Sequence, residues 1–203
     1  MRKRRIIARL ELACAIGGVS FAVVLWTMVS VQDLPPAIRQ LFETRGYILR
    51  TLFFLSQIGF MSGLYALLIA DATDRSKLRK SVLSIPFLGQ LGYLTTSLLP
   101  NQTVTTLLPL PLTQLGAILN TVGMVLVGIA VLRGDAWHGW PRPLPLLTGL
   151  CPFLIMFPVL AITSYPPRAL IDLWGLVWMA LGYAIYSSAA YAKSIRREIK
   201  ISV

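Results

Sequence analysis

The chain has 203 residues, 56% of them apolar and only 13% charged, and a formal net charge of +11. Soluble domains hold roughly a quarter of their residues as charged ones. This composition, with its mean hydropathy of +0.70, therefore excludes an ordinary water-soluble domain and points to a membrane protein.

A bilayer core of about 30 Å needs about 20 apolar residues as helix. Six stretches offer that length: 12–31, 51–70, 82–99, 112–132, 144–164 and 173–192. They occupy most of residues 1–203, so the expectation is a single membrane domain, an all-α polytopic bundle of six spans. Lipid-facing β-strands would alternate polar with apolar residues, whereas these runs are apolar all round.

The opening "MRKRRIIARLELACAIGGV" pairs a basic start with an apolar run, as a secretory signal does. That run is longer than the roughly 7 to 15 residues of a signal core and no A-x-A site follows it, so a retained first helix is expected. Its basic residues can sit against anionic headgroups of the lipid bilayer at about 1 kcal/mol each. The first outer loop, "QDLPPAIRQLFETRGYILR", reads either as a short interfacial helix or as a capped connector. Helix two carries Gly59 and Gly63 at GxxxG spacing, a packing signal, and "DATDRSKLRKS" follows as a tight inner turn. Between Ser81 and Leu132 no residue is charged, which predicts an inserted hairpin broken at "PNQT", with an outer tip held non-helical by Pro109 and Pro111. Prolines 86, 152 and 158 are expected to kink helices three and five. The inner loop "RGDAWHGWPRPLP" holds the lone His138 between Trp137 and Trp140, a pattern of the interfacial aromatic belt that Trp26, Trp174 and Tyr191 extend. Cys14 and Cys151 lie in separate spans without metal or redox spacing and read as small apolar residues.

Orientation follows from the lysines and arginines. With the N-terminus inside, fifteen of the nineteen fall in inner segments, and only Arg39, Arg45, Arg50 and Arg168 lie outside. Both termini are thus expected in the cytoplasm. The same distribution argues against nucleic acid, whose partners gather basic residues on one folded face with stacking aromatics.

Asp172 stands in the first turn of helix six, where the helix N-terminus favours a negative charge and Arg168 can pair with it. A second account rests on helix faces. Asp172, Gly175, Met179, Gly182 and Tyr186 share one side of helix six, and Thr113, Gly116, Asn120 and Gly123 share one side of helix four. Both faces are expected to point into the bundle. Gln57, Gln90, Gln114 and Asn120 fall in the outer half of the membrane with Asp172, which raises two possibilities. They are structural interhelical hydrogen bonds of about 0.6 kcal/mol apiece, or, with Tyr186, they line a polar ligand-binding pocket open to the outside.

No catalytic pattern accompanies these residues. One histidine cannot make HExxH, "GFMSG" has no base at its depth, and the DxxD of Asp71 and Asp74 lacks the second acidic cluster that membrane prenyl transferases use. Three plus three helices permit an inverted repeat, but the two halves share no residues that support one. The function expected is a non-catalytic integral membrane protein without a cofactor, either a subunit of a membrane complex or a small-ligand-binding bundle, with a secondary transporter as the alternative and an intramembrane enzyme ranked below it.

"GMVLVGIAVLRGDAWHGWPRPLPLLTG" together with "LWGLVWMALGYAIYS" resembles a pattern in uncharacterised bacterial six-helix membrane proteins. In that pattern a G-x-A-x-L-R helix end precedes a Pro/Trp loop, and the last helix reads W-x-x-x-G-Y. The resemblance covers about the last ninety residues, departs in the His/Trp insertion, and implies a bundle of the bacterial inner membrane with no activity attached.

Overall fold

A computed structural model describes residues 2–30, 36, 40, 46–70, 81–98, 112–135, 137–156, 158–159, 162 and 173–187, with backbone alone at 2–5, 25–30, 46 and 156. Among them every regular element is helical and none is a strand. In chain order these are α1 (Arg2–Ser30), α2 (Gly46–Ile69), α3 (Ser84–Leu98), α4 (Leu112–Arg133), α5 (Leu144–Cys151), which continues as a π-helical turn over Pro152–Met156, and α6 (Leu173–Ser187). Three are long and apolar enough to cross a membrane, within Ile6–Val24, Tyr47–Ile69 and Leu112–Arg133, and they mark the chain as a membrane protein. The described parts of α5 and α6 are shorter apolar helices. With 15 residues, α3 rises about 22 Å, less than a lipid core.

Two expectations change at this level. Helix α1 begins at Arg2 and not near residue 12, so the basic segment is continuous with the apolar one. Pro86 lies in the first turn of α3, where a missing N–H breaks no helical bond, so it opens that helix instead of kinking it. At Pro152 the α-helical ladder does give way, to the π turn. Asp71, Asp74, Asp172, Arg168, the "PNQT" tip and most of the first outer loop lie outside the described residues.

Consecutive glycines place α1 between two neighbours. A methyl group at Gly17 would stand 2.8 Å from Cα of Gly59 on α2, and one at Gly18 would stand 2.6 Å from the carbonyl oxygen of Gly175 on α6. Adjacent helix positions point about 100° apart, so this pair lets two backbones approach α1 on different sides. Toward the start of α1, a methyl at Gly182 would meet the Ala15 nitrogen at 3.0 Å and the Glu11 carbonyl oxygen at 3.1 Å. The pairing of Gly18 with Gly175 and Ala15 with Gly182 makes α1 and α6 antiparallel, with the start of α1 and the end of α6 together at one end of the bundle.

Rings fill the space between these three helices. Phe60 of α2 stacks on Trp178 of α6 at 4.5 Å, and Phe21 of α1 meets Trp174 edge-on at 6.0 Å. Trp174 is only 5% exposed and its indole N–H donates to the Thr148 carbonyl of α5 at 3.0 Å. It belongs to the core and not to an interfacial belt, because it shares the buried face of α6 with Trp178, Leu181 and Ile185. Trp137 is buried as well, whereas His138 and Trp140 are exposed.

The remaining helices follow in sequence. A methyl at Gly89 on α3 would fall 2.6 Å from the Asn120 nitrogen on α4, and one at Gly128 on α4 would fall against Leu146 of α5. The guanidinium of Arg142 donates from Nη2 to the carbonyls of Leu132 and Gly134, capping the C-terminal end of α4. Near the start of α2, Arg50 Nε donates to the Ser97 carbonyl of α3 at 2.6 Å.

Candidate functional site

A cleft of about 350 Å³ opens between α1 and α6 at the end of the bundle that holds the start of α1. Its α1 wall includes Glu11, Leu12 and Ala15, and its α6 wall includes Gly182, Tyr183 and Tyr186. The space exists because Ala8, Ala15 and Gly182 carry almost no side chain where the two helices pass. Its size falls within the roughly 300–1,000 Å³ of small-molecule sites.

The cleft is apolar except at one wall. Glu11 is 3% exposed, and neither carboxylate oxygen has a hydrogen-bond partner. Arg9, two residues before it, is exposed and about 200° away around the helix, on the opposite face. Burying an unpaired charge costs several kcal/mol, so an unpartnered carboxyl held this way keeps its charge only where a cation reaches it. The α6 wall of the same cleft carries the rings of Tyr183 and Tyr186. Trp140 stacks on Tyr183 with centroids 5.8 Å apart, and Tyr183 on Tyr186 at 6.5 Å, both near-parallel. These three rings are 55%, 61% and 54% exposed, so part of each stays accessible despite the stacking.

The candidates drawn from the sequence distribute differently. Tyr186 lines this cleft, and of the expected set it alone does so among the described residues. Gln57 is buried on α2 and donates from Nε2 to the Ser56 hydroxyl at 3.0 Å. Gln90 on α3 and Asn120 on α4 are fully buried at the α3–α4 seam, and all four of their amide atoms lack a hydrogen-bond partner. Gln114 is exposed, and Asp172 is outside the described residues. The predicted faces point inward in part: Gly175 and Gly182 pack on α1, and Gly116, Asn120 and Gly123 pack on α3, whereas Thr113 and Tyr186 on the same faces are exposed.

Sequence reasoning passed over Glu11 because it follows five basic residues and precedes the apolar run. A signal was present. Ile7, Glu11, Cys14, Gly18 and Phe21 recur at helical three-four spacing, and all five are buried. A second cleft of about 370 Å³ lies between α5 and α6, lined by Leu144, Leu147, Cys151, Leu154 and Leu176, and it offers no charged or amide group. Among the described residues no group of His, Cys, Asp and Glu could hold a metal ion. No family model, curated protein or solved structure matches this chain.

Proposed function

We propose that this chain is a non-catalytic protein of the bacterial inner membrane that threads the bilayer six times with both ends in the cytoplasm and binds a small ligand in the α1–α6 cleft. The observation that carries the reading is the cleft itself, a space of ligand size with one buried and unpartnered carboxylate in an otherwise apolar wall. Support for the orientation comes from the basic residues, concentrated in the segments that would face the cytoplasm. The ligand therefore enters from the cytoplasmic side or from the inner leaflet.

Reporter fusions at the two chain ends test the topology, and both must report the cytoplasm. A thermal-shift screen of small amphipathic molecules on the detergent-solubilised chain tests the ligand reading. Stabilisation by a compound that is lost when Ala15→Trp fills the cleft supports it, and a screen without a cleft-dependent compound refutes it. A second reading, a permease, draws on the break of α5 into a π turn at Pro152, since interrupted helices form the binding sites of many carriers. Uptake of a cleft-binding compound into vesicles separates carriage from binding.

A further inference from the structure

From the placement of Glu11 against the ring stack, we infer that the cleft takes an organic cation, an ammonium group on an apolar body. The inference rests on the ligand-binding reading above and narrows it to one chemical class. A neutral apolar ligand would leave the Glu11 carboxyl as unpartnered as it is now, and an anion would oppose its ionisation. A small hydrated metal ion would have to shed its water into a wall that offers one carboxylate and apolar carbon, and it would gain nothing from the volume. An alkylammonium suits all three features. Its charge pairs with Glu11 at short range in a low-dielectric setting, its methyl groups lie against the exposed parts of the Tyr183 and Tyr186 rings, and its apolar body fills the space beside Leu12 and Ala15. Trp140 stacks on Tyr183 and helps to fix the position of that ring.

An ammonium of this kind comes either from a free amine or from the headgroup of a membrane phospholipid, since the cleft is open along its side. The two sources share the chemistry at Glu11 and differ in what the surrounding bilayer does to binding.

The test uses phenyltrimethylammonium and its neutral isostere tert-butylbenzene, with the full chain in phosphatidylglycerol nanodiscs, which carry no ammonium headgroup. Affinities are read by saturation-transfer NMR. The cation is expected to bind at least about tenfold tighter than the isostere, Glu11→Gln to remove that preference, and Tyr183→Leu to weaken the cation about threefold while Tyr183→Phe retains it. Equal binding of both compounds, unchanged in Glu11→Gln, overturns the cation and leaves a ligand cleft standing. Binding of neither compound overturns the cation inference and removes support from the cleft reading too. The tyrosine variants, which leave the α1 wall intact, decide the same question if Glu11→Gln does not fold. Repeating the titration in nanodiscs of equal phosphatidylglycerol fraction, with either phosphatidylethanolamine or an uncharged glycolipid as the remainder, assigns the source: weaker apparent affinity with phosphatidylethanolamine means that the headgroup competes for the site, and equal affinity means a free amine.

Discussion

Replacing Gly18 by alanine adds one methyl group at a tight backbone crossing between α1 and α6. That carbon would lie 2.6 Å from the Gly175 carbonyl oxygen, 2.7 Å from the Met179 nitrogen and 3.0 Å from the Met179 Cα. All three are backbone atoms, so no side chain can swing aside, and α6 must retreat by roughly 0.8 Å to restore ordinary contact. Overpacking of this kind costs about 1–3 kcal/mol. Alanine returns up to about 1 kcal/mol as the better helix former, which leaves a net loss of about 1–2 kcal/mol. For a chain of 203 residues that lowers the melting temperature by about 2–8 °C. Gly92→Ala is the internal control, because its methyl would meet nothing closer than 3.5 Å and only the helix-propensity gain remains. Scanning fluorimetry in dodecyl maltoside should therefore show Gly18→Ala melting below the parent and Gly92→Ala at or above it. If the two variants melt together, the glycine crossing does not hold α1 against α6.

Three further substitutions probe other parts of the bundle. Gln90→Met combined with Asn120→Leu removes four unpartnered amide atoms at nearly constant shape and should raise the melting temperature by several degrees, whereas a drop would reveal water or ligand bonded to the amides. Arg142→Ala uncaps the Leu132 and Gly134 carbonyls and should cost about 1.5–3 kcal/mol by chemical denaturation, with Arg142→Lys recovering part of the loss. Trp174→Phe removes the bond to Thr148 and leaves a cavity where the larger indole packed, so its cost should be about 2–4 kcal/mol, and a cost below about 1 kcal/mol would mean that neither the bond nor the ring holds α6 against α5.

Hydropathy and helical spacing were enough to locate the described helices and the small-residue faces along which they meet, because those features are local and periodic. Gly59 and Gly63, for example, were legible as a packing face on α2, but that their partners are Gly17 and Cys14 of α1 depends on how helices are arranged in space. Trp174 shows a different limit. Its depth at a helix end suggested the lipid interface, yet its rotational phase, shared with Trp178, turns it into the core. Glu11 combines both limits. Charge counting absorbed it into the basic segment, while the phase it shares with Ile7 and Cys14 put it on the buried stripe of α1. In a membrane helix the phase of a charged residue is thus as informative as its depth, and α1 extends far enough back to make the phase readable.

The two glycines of α1 also let packing be separated from binding. Gly17 faces α2, where an added methyl would stand 2.8 Å from the Gly59 Cα and 3.0 Å from the Ser56 carbonyl oxygen, while Gly18 faces α6, whose continuation carries Tyr183 and Tyr186. Alanine at either position strains a backbone crossing by a similar amount, so both variants should lose stability to a similar degree. Only the Gly18 change moves the wall that carries the rings. Phenyltrimethylammonium should therefore bind Gly17→Ala within about twofold of the parent, as expected for a perturbation that shares no partner with the site. A displacement of α6 by roughly 0.8 Å carries the ring faces away from Glu11, and a loss of about 1 kcal/mol there corresponds to roughly fivefold weaker binding in Gly18→Ala. Equal weakening in both variants would mean that affinity follows global stability, and the α1–α6 seam would then have no special part in shaping the site.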